Sequence, residues 1–257
     1  MSLAEDAPIS MEGIMRLVDH TLLKPYADMS QIDAFVKEAS VLGVYSVCIQ
    51  PLYAERVREL INSNGYGLRL AVVVDFPHGS LDTGERISVI RSLKGIADEI
   101  DAVMQVGLAK SGRFEDIRED LGMLAEEAHG GKMKLKVITE DAYLIRAEKE
   151  KAYEAVFGSG ADFIKTSTGF AEPKFSESIG NRMTGADLNY VRLMAEVSER
   201  MGKQDVGIKV AGGIKTLAQV MDFLKVSGRK ADPDHFRVGA SSSKAIYEEL
   251  KLRHLPG

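Results

Sequence analysis

The stretch Ala161-Asp-Phe-Ile-Lys-Thr-Ser-Thr-Gly-Phe170 decides how the rest of the chain is interpreted. Phe163 and Ile164 form an apolar pair that is typical of a short buried parallel strand, and Gly169 allows a sharp exit. Lys165 follows this pair directly, although lysine is rarely buried because its ammonium group is costly to desolvate. A buried lysine beside other positive charge loses its proton more easily and becomes a nucleophile. The alternative is a strand-end lysine that extends into solvent.

The composition indicates a globular, mildly acidic protein. The chain has 257 residues, 45% of them hydrophobic, which fits one large α/β domain or two small ones. The net charge of −5 argues against a nucleic-acid partner, which requires a basic face, but leaves room for a basic pocket. The single cysteine, Cys48, has no partner for an internal disulfide, which favours a reducing compartment.

Neither a signal peptide nor a membrane helix is predicted. Met1 to Ser10 is acidic and polar and lacks the apolar centre of a signal peptide. No apolar run approaches the roughly 20 residues that cross a bilayer. We therefore expect a cytoplasmic protein without a membrane partner.

Strand-like and helix-like patterns alternate along the chain. Seven strands are predicted, and an eighth is available over Leu17 to Leu22; the seven cover residues 44–49, 68–74, 99–104, 133–139, 163–167, 206–211 and 235–238. Strands that alternate with helices make βα units and a parallel sheet. Eight such units in a chain of this length predict a (β/α)8 TIM barrel, a single domain over residues 1–257, with a doubly wound open sheet as the alternative.

Two local features are also predicted from residue type. Ser30 is expected to be the N-cap of a helix that runs through Leu42 and ends at Gly43. Residues 170–185 are expected to form a long polar loop after the strand predicted over residues 163–167, either a substrate lid or a surface insertion.

Charged residues lie inside the predicted strands, where a barrel would point them inward or into its mouth; they are Asp101, Lys136, Lys165 and Lys209. Three lysines and one aspartate in the same layer suit Schiff-base chemistry. Lys209 would favour a neutral Lys165, and Asp101 would relay protons. The alternative is that each lysine forms a buried ion pair with a neighbouring carboxylate.

Glycine and serine residues after the last two strands indicate an anion site. Gly212 and Gly213 end one strand, and Gly239-Ala-Ser-Ser242 follows the next, just before the C-terminal helix. Accessible backbone N–H groups and a helix N-terminus favour a bound phosphate. Phosphate sites after strands 7 and 8 recur in this kind of barrel.

No metal or cofactor site is predicted. The 5 histidines are scattered without metal-ligand spacing, and the chain has neither a Walker loop nor a dinucleotide fingerprint. Cys48 is expected to be a buried small hydrophobe and not a nucleophile.

Taken together, these motifs resemble class I deoxyribose-phosphate aldolases. The Lys165-Thr-Ser-Thr-Gly169 motif is highly specific, and the matching segments run in family order over nearly the whole chain. They cover residues 18–25, 47–51, 75–79, 98–101, 135–138, 162–169, 207–213 and 237–242.

The resemblance implies a (β/α)8 barrel that joins acetaldehyde to glyceraldehyde 3-phosphate reversibly, without a metal or other cofactor. It implies that Lys165 forms the Schiff base, that Lys209 favours the neutral form of Lys165, and that Asp101 belongs to the proton relay. The implied substrate-binding residues are Asp19, Thr21, Lys136 and Thr168. The implied phosphate-binding residues are Gly169, Gly212, Gly213, Ser241 and Ser242. The implied partners are small-molecule phosphosugar and aldehyde substrates, and a homo-oligomer, a dimer, is expected.

Departures from the family pattern leave the aldehyde pair open. Gln105 stands near a strand end that usually bears asparagine, and the chain ends Leu255-Pro-Gly257 without the tyrosine that some members have. One alternative is therefore a related Schiff-base aldolase with another aldehyde or phosphosugar pair. A non-catalytic phosphosugar-binding barrel is the other alternative, and the intact Lys165, Lys209 and Asp101 argue against it.

Overall fold

Eight parallel strands close into a barrel in the computed structural model, which describes residues 9–254. The strands are β1 (Val18–Leu22), β2 (Ser46–Ile49), β3 (Arg69–Val74), β4 (Glu99–Val103), β5 (Lys134–Ile138), β6 (Phe163–Lys165), β7 (Gly207–Ala211) and β8 (Phe236–Ala240). Each pairs in parallel with the next, and β8 pairs with β1, so the sheet has no free edge. The predicted TIM barrel is confirmed, with the eighth strand near the start of the chain, and the open sheet is excluded.

Helices connect the strands and surround the barrel. They are α1 (Met11–Met15), α2 (Met29–Leu42), α3 (Ala54–Ser63), α4 (Thr83–Ser92), α5 (Val106–Lys110), α6 (Phe114–Gly130), α7 (Arg146–Gly158), α8 (Pro173–Ser178), α9 (Leu188–Arg200), α10 (Leu217–Ser227) and α11 (Ser243–His254). Short 3₁₀ turns cover Pro51–Tyr53 and Asp141–Tyr143. Within the described residues, no helix is both long and apolar enough to cross a membrane.

The start of α2 differs from the prediction. Asp28, and not Ser30, is the N-cap, because its carboxylate accepts the backbone N–H of Gln31 while the Gln31 side chain accepts the N–H of Asp28. Ser30 lies in the first turn and donates its hydroxyl to Asp28 at 2.7 Å. Gly43 ends the helix as predicted, in the left-handed conformation.

Alternate residues of each strand face opposite sides of the barrel wall. In β4, Ile100 and Ala102 pack outward in the large apolar core that includes the helices, so Glu99 and Asp101 point inward. In β7, Ile208 and Val210 face outward in the same way and leave Lys209 inside. Period two thus places charged side chains in the barrel interior.

Residues 170–185 are not a plain loop. They contain α8, which begins with Pro173 at its first turn and ends at Ser178. The segment lies between the end of β6 and the start of α9, at the carboxyl end of the barrel. The N-terminal residues 1–8 and the tail 255–257, on which two sequence-based expectations rest, lie outside the described residues.

Candidate active site

Strand register brings the interior charges together. Asp101 on β4 is level with Lys136 on β5, and Lys165 on β6 is level with Lys209 on β7. Arg237 on β8 is level with Lys209. Side chains on adjacent strands at the same level are close neighbours. Lys136 is level with Phe163 and not with Lys165, but both lysines contact Asp101, so the interior groups form one charged layer.

Asp101 is the centre of this layer. Its Oδ2 accepts hydrogen bonds from Lys165 Nζ at 2.8 Å and from Lys209 Nζ at 2.7 Å, and its Oδ1 accepts from Lys136 Nζ at 2.9 Å. Burial raises the pKa of Asp101, but the ammonium groups of Lys136, Lys165 and Lys209 outweigh burial and hold that pKa well below its usual value. Asp101 is therefore an anion throughout the neutral pH range.

A second set of contacts lies beside Asp101. Lys209 Nζ is 2.6 Å from Asp19 Oδ2, and Arg237 Nη1 is 2.8 Å from Asp19 Oδ1. Glu99 accepts from Lys136 Nζ at 2.6 Å and from Arg237 Nη2 at 2.5 Å. Although burial lowers the pKa of Lys209, Asp101 and Asp19 hold it above its usual value, so Lys209 stays protonated.

The charges of this cluster do not balance. Its carboxylates are those of Asp19, Glu99 and Asp101, and its basic groups are those of Lys136, Lys165, Lys209 and Arg237. Each of the other basic groups contacts at least two of these carboxylates, whereas Lys165 contacts Asp101 alone and shares that oxygen with Lys209. With one positive charge in excess, Lys165 is the basic group of this cluster that has the fewest carboxylate partners.

Lys165 also faces a cavity at the carboxyl end of the barrel. The cavity is lined by predicted site residues from several strand ends: Thr21, Lys165, Thr168, Gly169, Gly212, Gly213, Ser241 and Ser242. The other predicted residues, Asp19, Asp101, Lys136 and Lys209, are fully buried and do not belong to this lining. A ligand in the cavity therefore meets the amine of Lys165, with the charged layer around it.

The far side of the cavity has the features of an anion site. Gly169, Gly212 and Gly213 all have positive φ, between 81° and 91°. Ser242 lies one residue before α11, and its carbonyl accepts the N–H of Ala245, so the helix N-terminus opens on the cavity. Backbone N–H groups and serine hydroxyls at a helix start suit a phosphate group.

Comparison with known proteins matches this geometry to one group of enzymes. The family model for DeoC/LacD family aldolases matches residues 13–249. The chain belongs to this family of aldolases. A deoxyribose-phosphate aldolase of Thermoplasma volcanium is 43% identical over 242 residues, which cover 94% of this chain and 96% of the relative. A deoxyribose-phosphate aldolase of Pyrobaculum arsenaticum is 39% identical over 233 residues, which cover 91% of this chain and 100% of that relative.

Solved structures agree with the barrel of this aldolase. The aldolase QR15 has a TM-score of 0.78 at 29% identity, covering 94% of this chain and 97% of that chain. A tetrameric deoxyribose phosphate aldolase from Aeropyrum pernix has a TM-score of 0.76 at 25% identity, and the match covers 94% of this chain and 92% of that chain. The family resemblance carried by the sequence motifs is thereby confirmed.

Two predicted substrate contacts of the aldolase already have partners in the protein. The hydroxyl of Thr21 donates to the carbonyl of Asp19 at 2.9 Å. The hydroxyl of Thr168 donates to Glu140 and accepts the N–H of Phe170 at 3.0 Å. Both hydroxyls keep acceptor capacity toward a ligand, and their substrate-binding role stays a prediction.

Three site residues of the aldolase had no role in the sequence analysis. Glu99 and Arg237 complete the charged layer, and period two offered a signal for both, because Glu99 lies two residues before Asp101 and Arg237 lies within β8. Glu140 is buried at φ 49° and supports the backbone N–H and hydroxyl of Thr168 from the end of β5. Only tertiary contact identifies Glu140, because it lies outside the strands.

The sequence predicts no metal site and a buried Cys48. Among the side chains that the structure describes, no group of three or more His, Cys, Asp or Glu residues is arranged to hold a metal ion. Cys48 is buried inside the barrel, packed with Leu23, Ala71 and Val73, and burial raises the pKa of its thiol. It behaves as a small core residue, as expected.

Proposed function

We propose that this aldolase reversibly cleaves 2-deoxyribose 5-phosphate to acetaldehyde and glyceraldehyde 3-phosphate through an imine on Lys165. One observation carries the proposal: the cavity that contains Lys165 also contains the glycine and serine residues of the anion site. A phosphorylated sugar of suitable length would place its aldehyde at the amine and its phosphate at the far side. The names of the relatives support the same substrate.

The reaction begins with addition of an amine to a carbonyl. The neutral Nζ of Lys165 attacks C1 of the open-chain sugar, and loss of water from the carbinolamine leaves a protonated imine. This step requires an amine without its proton, because only the free electron pair of the nitrogen can attack the carbonyl carbon. Asp101, hydrogen-bonded to Lys165 Nζ at 2.8 Å, is placed to accept and return protons.

The imine then takes up the electrons of the breaking bond. As the C3 hydroxyl loses its proton, the C2–C3 bond breaks, C3 becomes the aldehyde of glyceraldehyde 3-phosphate, and the bonding electrons form an enamine on Lys165. Protonation of that enamine at C2 and addition of water release acetaldehyde and restore the amine. Protonated Lys209 and Lys136 stabilise the anionic form of Asp101 to which it returns after each proton transfer.

Borohydride reduction tests the imine. The enzyme is incubated with acetaldehyde and reduced, and the adduct is located by peptide mass analysis, with Lys165→Met as the control. We expect a two-carbon adduct on Lys165 in the wild type and none at this position in the variant. An adduct confined to another lysine, or none with any aldehyde, would overturn the mechanism.

A substrate panel tests the sugar. Release of acetaldehyde is measured with 2-deoxyribose 5-phosphate, unphosphorylated deoxyribose and other phosphosugars. We expect the highest kcat/KM for 2-deoxyribose 5-phosphate. If the imine forms but another aldehyde pair is preferred, the chain is a related Schiff-base aldolase and the substrate proposal is wrong.

Assembly, domain organisation and location are also proposals. Small-molecule substrates suit an aldolase, and we expect a homodimer, although the Aeropyrum pernix relative is described as a tetramer. Light scattering after size exclusion distinguishes these states.

We also propose a single domain over residues 1–257 and a cytoplasmic location. A single cooperative unfolding transition would support one domain, and cell fractionation tests the location.

A further inference from the structure

We propose that Arg182 binds the substrate phosphate, so that residues 171–185, hereafter the β6–α9 segment, form a second wall of the anion site. This inference deepens the proposed function, since the phosphate is that of the phosphosugar. It adds a guanidinium group to a site whose other polar groups are backbone N–H groups and serine hydroxyls, with Lys24 and Lys215 also bordering the cavity.

A second cavity carries the inference. One wall is made by Ser176, Arg182 and Thr184 of the β6–α9 segment, and the other by the anion-site glycines Gly169, Gly212 and Gly213. The same three glycines line the cavity that contains Lys165. A phosphate bound at these glycines would therefore be within the space that the Arg182 side chain also borders.

The β6–α9 segment is docked directly on the anion-site backbone. The N–H of Ala186 donates to the carbonyl of Gly212 at 3.1 Å, and the hydroxyl of Ser167 donates to the carbonyl of Thr184 at 3.0 Å. The chains approach so closely that a Cβ on Gly185 would lie 2.3 Å from the Gly212 oxygen. Only glycine permits this approach, so the segment has a fixed position relative to the phosphate site.

Asn181 fixes the backbone immediately before Arg182. Its side-chain amide donates to the carbonyls of Ala142 and Leu144 at 2.9 and 3.0 Å. Its Oδ1 accepts from Tyr190 Oη at 2.6 Å and from Lys149 Nζ at 3.1 Å. Asn181 is buried, and this network attaches the segment to the end of β5 and to α7 and α9. Ordering of neighbouring backbone lowers the entropic cost of presenting the arginine.

The guanidinium of Arg182 is available for a ligand. Its side chain is exposed, and none of the described residues gives it a hydrogen bond or an ion pair. Glu177 is the one acidic residue that borders the same cavity among residues 9–254. Arginine binds phosphate through two parallel hydrogen bonds, so a phosphate dianion is the ligand chemistry that fits this cation.

Phosphate binding without turnover tests the proposal. Titration calorimetry with inorganic phosphate compares the wild type with Arg182→Met and with Lys174→Met. Lys174 is an exposed cation of α8 that borders neither cavity, so it is a control for net charge. We expect Arg182→Met to weaken binding about 10- to 100-fold, Lys174→Met to change it less than about twofold, and Glu177→Gln to tighten it.

Turnover supplies the second measurement. Arg182→Met should lower kcat/KM for 2-deoxyribose 5-phosphate by a similar factor and leave kcat/KM for unphosphorylated deoxyribose unchanged. Equal phosphate affinity in wild type and Arg182→Met, or equal losses in Arg182→Met and Lys174→Met, would overturn the proposal. Absence of the acetaldehyde adduct in the wild type would instead count against the imine, while the calorimetry still decides the role of Arg182.

Discussion

Lys165 and Lys209 donate to the same carboxylate oxygen, Asp101 Oδ2, at 2.8 and 2.7 Å. Two ammonium groups that share one oxygen repel each other, and Lys209 has Asp19 as a second carboxylate partner while Lys165 has none. The two carboxylates hold the pKa of Lys209 above its usual value, and Lys165, with one carboxylate partner, is the lysine of this pair that borders the cavity. The sequence suggested that Lys209 acts as a nearby positive charge, and the structure adds the carboxylates that keep it charged.

Replacement of Lys209 by methionine should shift the pH dependence of imine formation. The substitution leaves Asp19, Glu99 and Asp101 opposite Lys136, Lys165 and Arg237, and it removes the positive charge that shares Asp101 Oδ2 with Lys165. We expect the acidic limb of the pH profile of adduct formation to move to higher pH by about one unit or more. The rate of adduct formation near neutral pH should fall as a result. Borohydride trapping as a function of pH measures this shift.

Lys134→Met is the matched control for Lys209→Met. Lys134 is also a strand lysine in an ion pair, 2.6 Å from Asp234. It is the first residue of β5, at the amino end of the strand, and it is partly exposed. Its replacement should leave the acidic limb in place. Thermal unfolding shows whether each variant is folded, and an unchanged limb in folded Lys209→Met would leave Lys209 with a binding role only.

His20 should make the protein less stable as the pH falls from 6.5 to 4. Burial lowers the pKa of its imidazole from 6.5 to about 4, and Nδ1 lies 2.9 Å from the Ser243 hydroxyl, which itself donates to Ala240. Glu38 lies 3.4 Å from Nε2, but its side chain is 44% exposed, so solvent screens its charge. The unfolded chain binds the proton first, so stability present above pH 6.5 is lost by about 1.4 kcal/mol per unit toward pH 4.

Comparison of wild type and His20→Gln isolates this effect. Denaturant titrations at several pH values should show the stability difference between the two proteins shrinking as the pH falls. The comparison with His20→Gln is needed because Asp141 titrates in the same pH range in both proteins. Burial raises the pKa of Asp141 to about 7, and its neutral carboxyl contributes stability at low pH that is lost on ionisation. His78→Gln, a change at an exposed histidine, is the control for loss of an imidazole that is not buried.

Replacement of Ser242 by glutamate should remove the preference for phosphorylated substrates. A carboxylate at the start of α11 would occupy the anion site and repel a phosphate group. We expect kcat/KM for 2-deoxyribose 5-phosphate to fall by at least about tenfold, with adduct formation from acetaldehyde retained. Ser92→Glu places the same charge at the exposed end of α4, at the opposite end of the barrel, and should change neither rate. If Ser242→Glu still prefers the phosphorylated sugar over the unphosphorylated one, there is no anion site at the start of α11.

Replacement of Glu140 by alanine should loosen the Lys165-Thr-Ser-Thr-Gly169 turn. Both carboxylate oxygens of Glu140 accept from the N–H of Thr168, at 3.3 and 3.4 Å, and burial raises the pKa of this carboxyl. Loss of these buried partners should cost about 1–3 kcal/mol of stability and raise KM for the phosphosugar. Glu140→Gln, which keeps an acceptor, should be affected less. Equal stability of wild type and Glu140→Ala would contradict this support.

The sequence by itself determined the class of fold and the family. Apolar strands alternate with amphipathic helices, and this local pattern predicts the barrel, because period two and period 3.6 are properties of single segments. The Lys165-Thr-Ser-Thr-Gly169 motif and the ordered segments around it identified the family that the comparisons confirm. The same pattern placed Asp101, Lys136 and Lys209 inside strands.

Only the tertiary structure decided which charges meet. Glu99 and Arg237 lie 138 positions apart in the chain, yet their side chains form a 2.5 Å hydrogen bond, because closure of the barrel brings β4 and β8 to one interior. The excess positive charge around Lys165 is a property of that interior and of no single segment. Likewise, the β6–α9 segment looked like a polar loop, and its contact with Gly212 depends on backbone approach, which hydrophobic patterning does not encode.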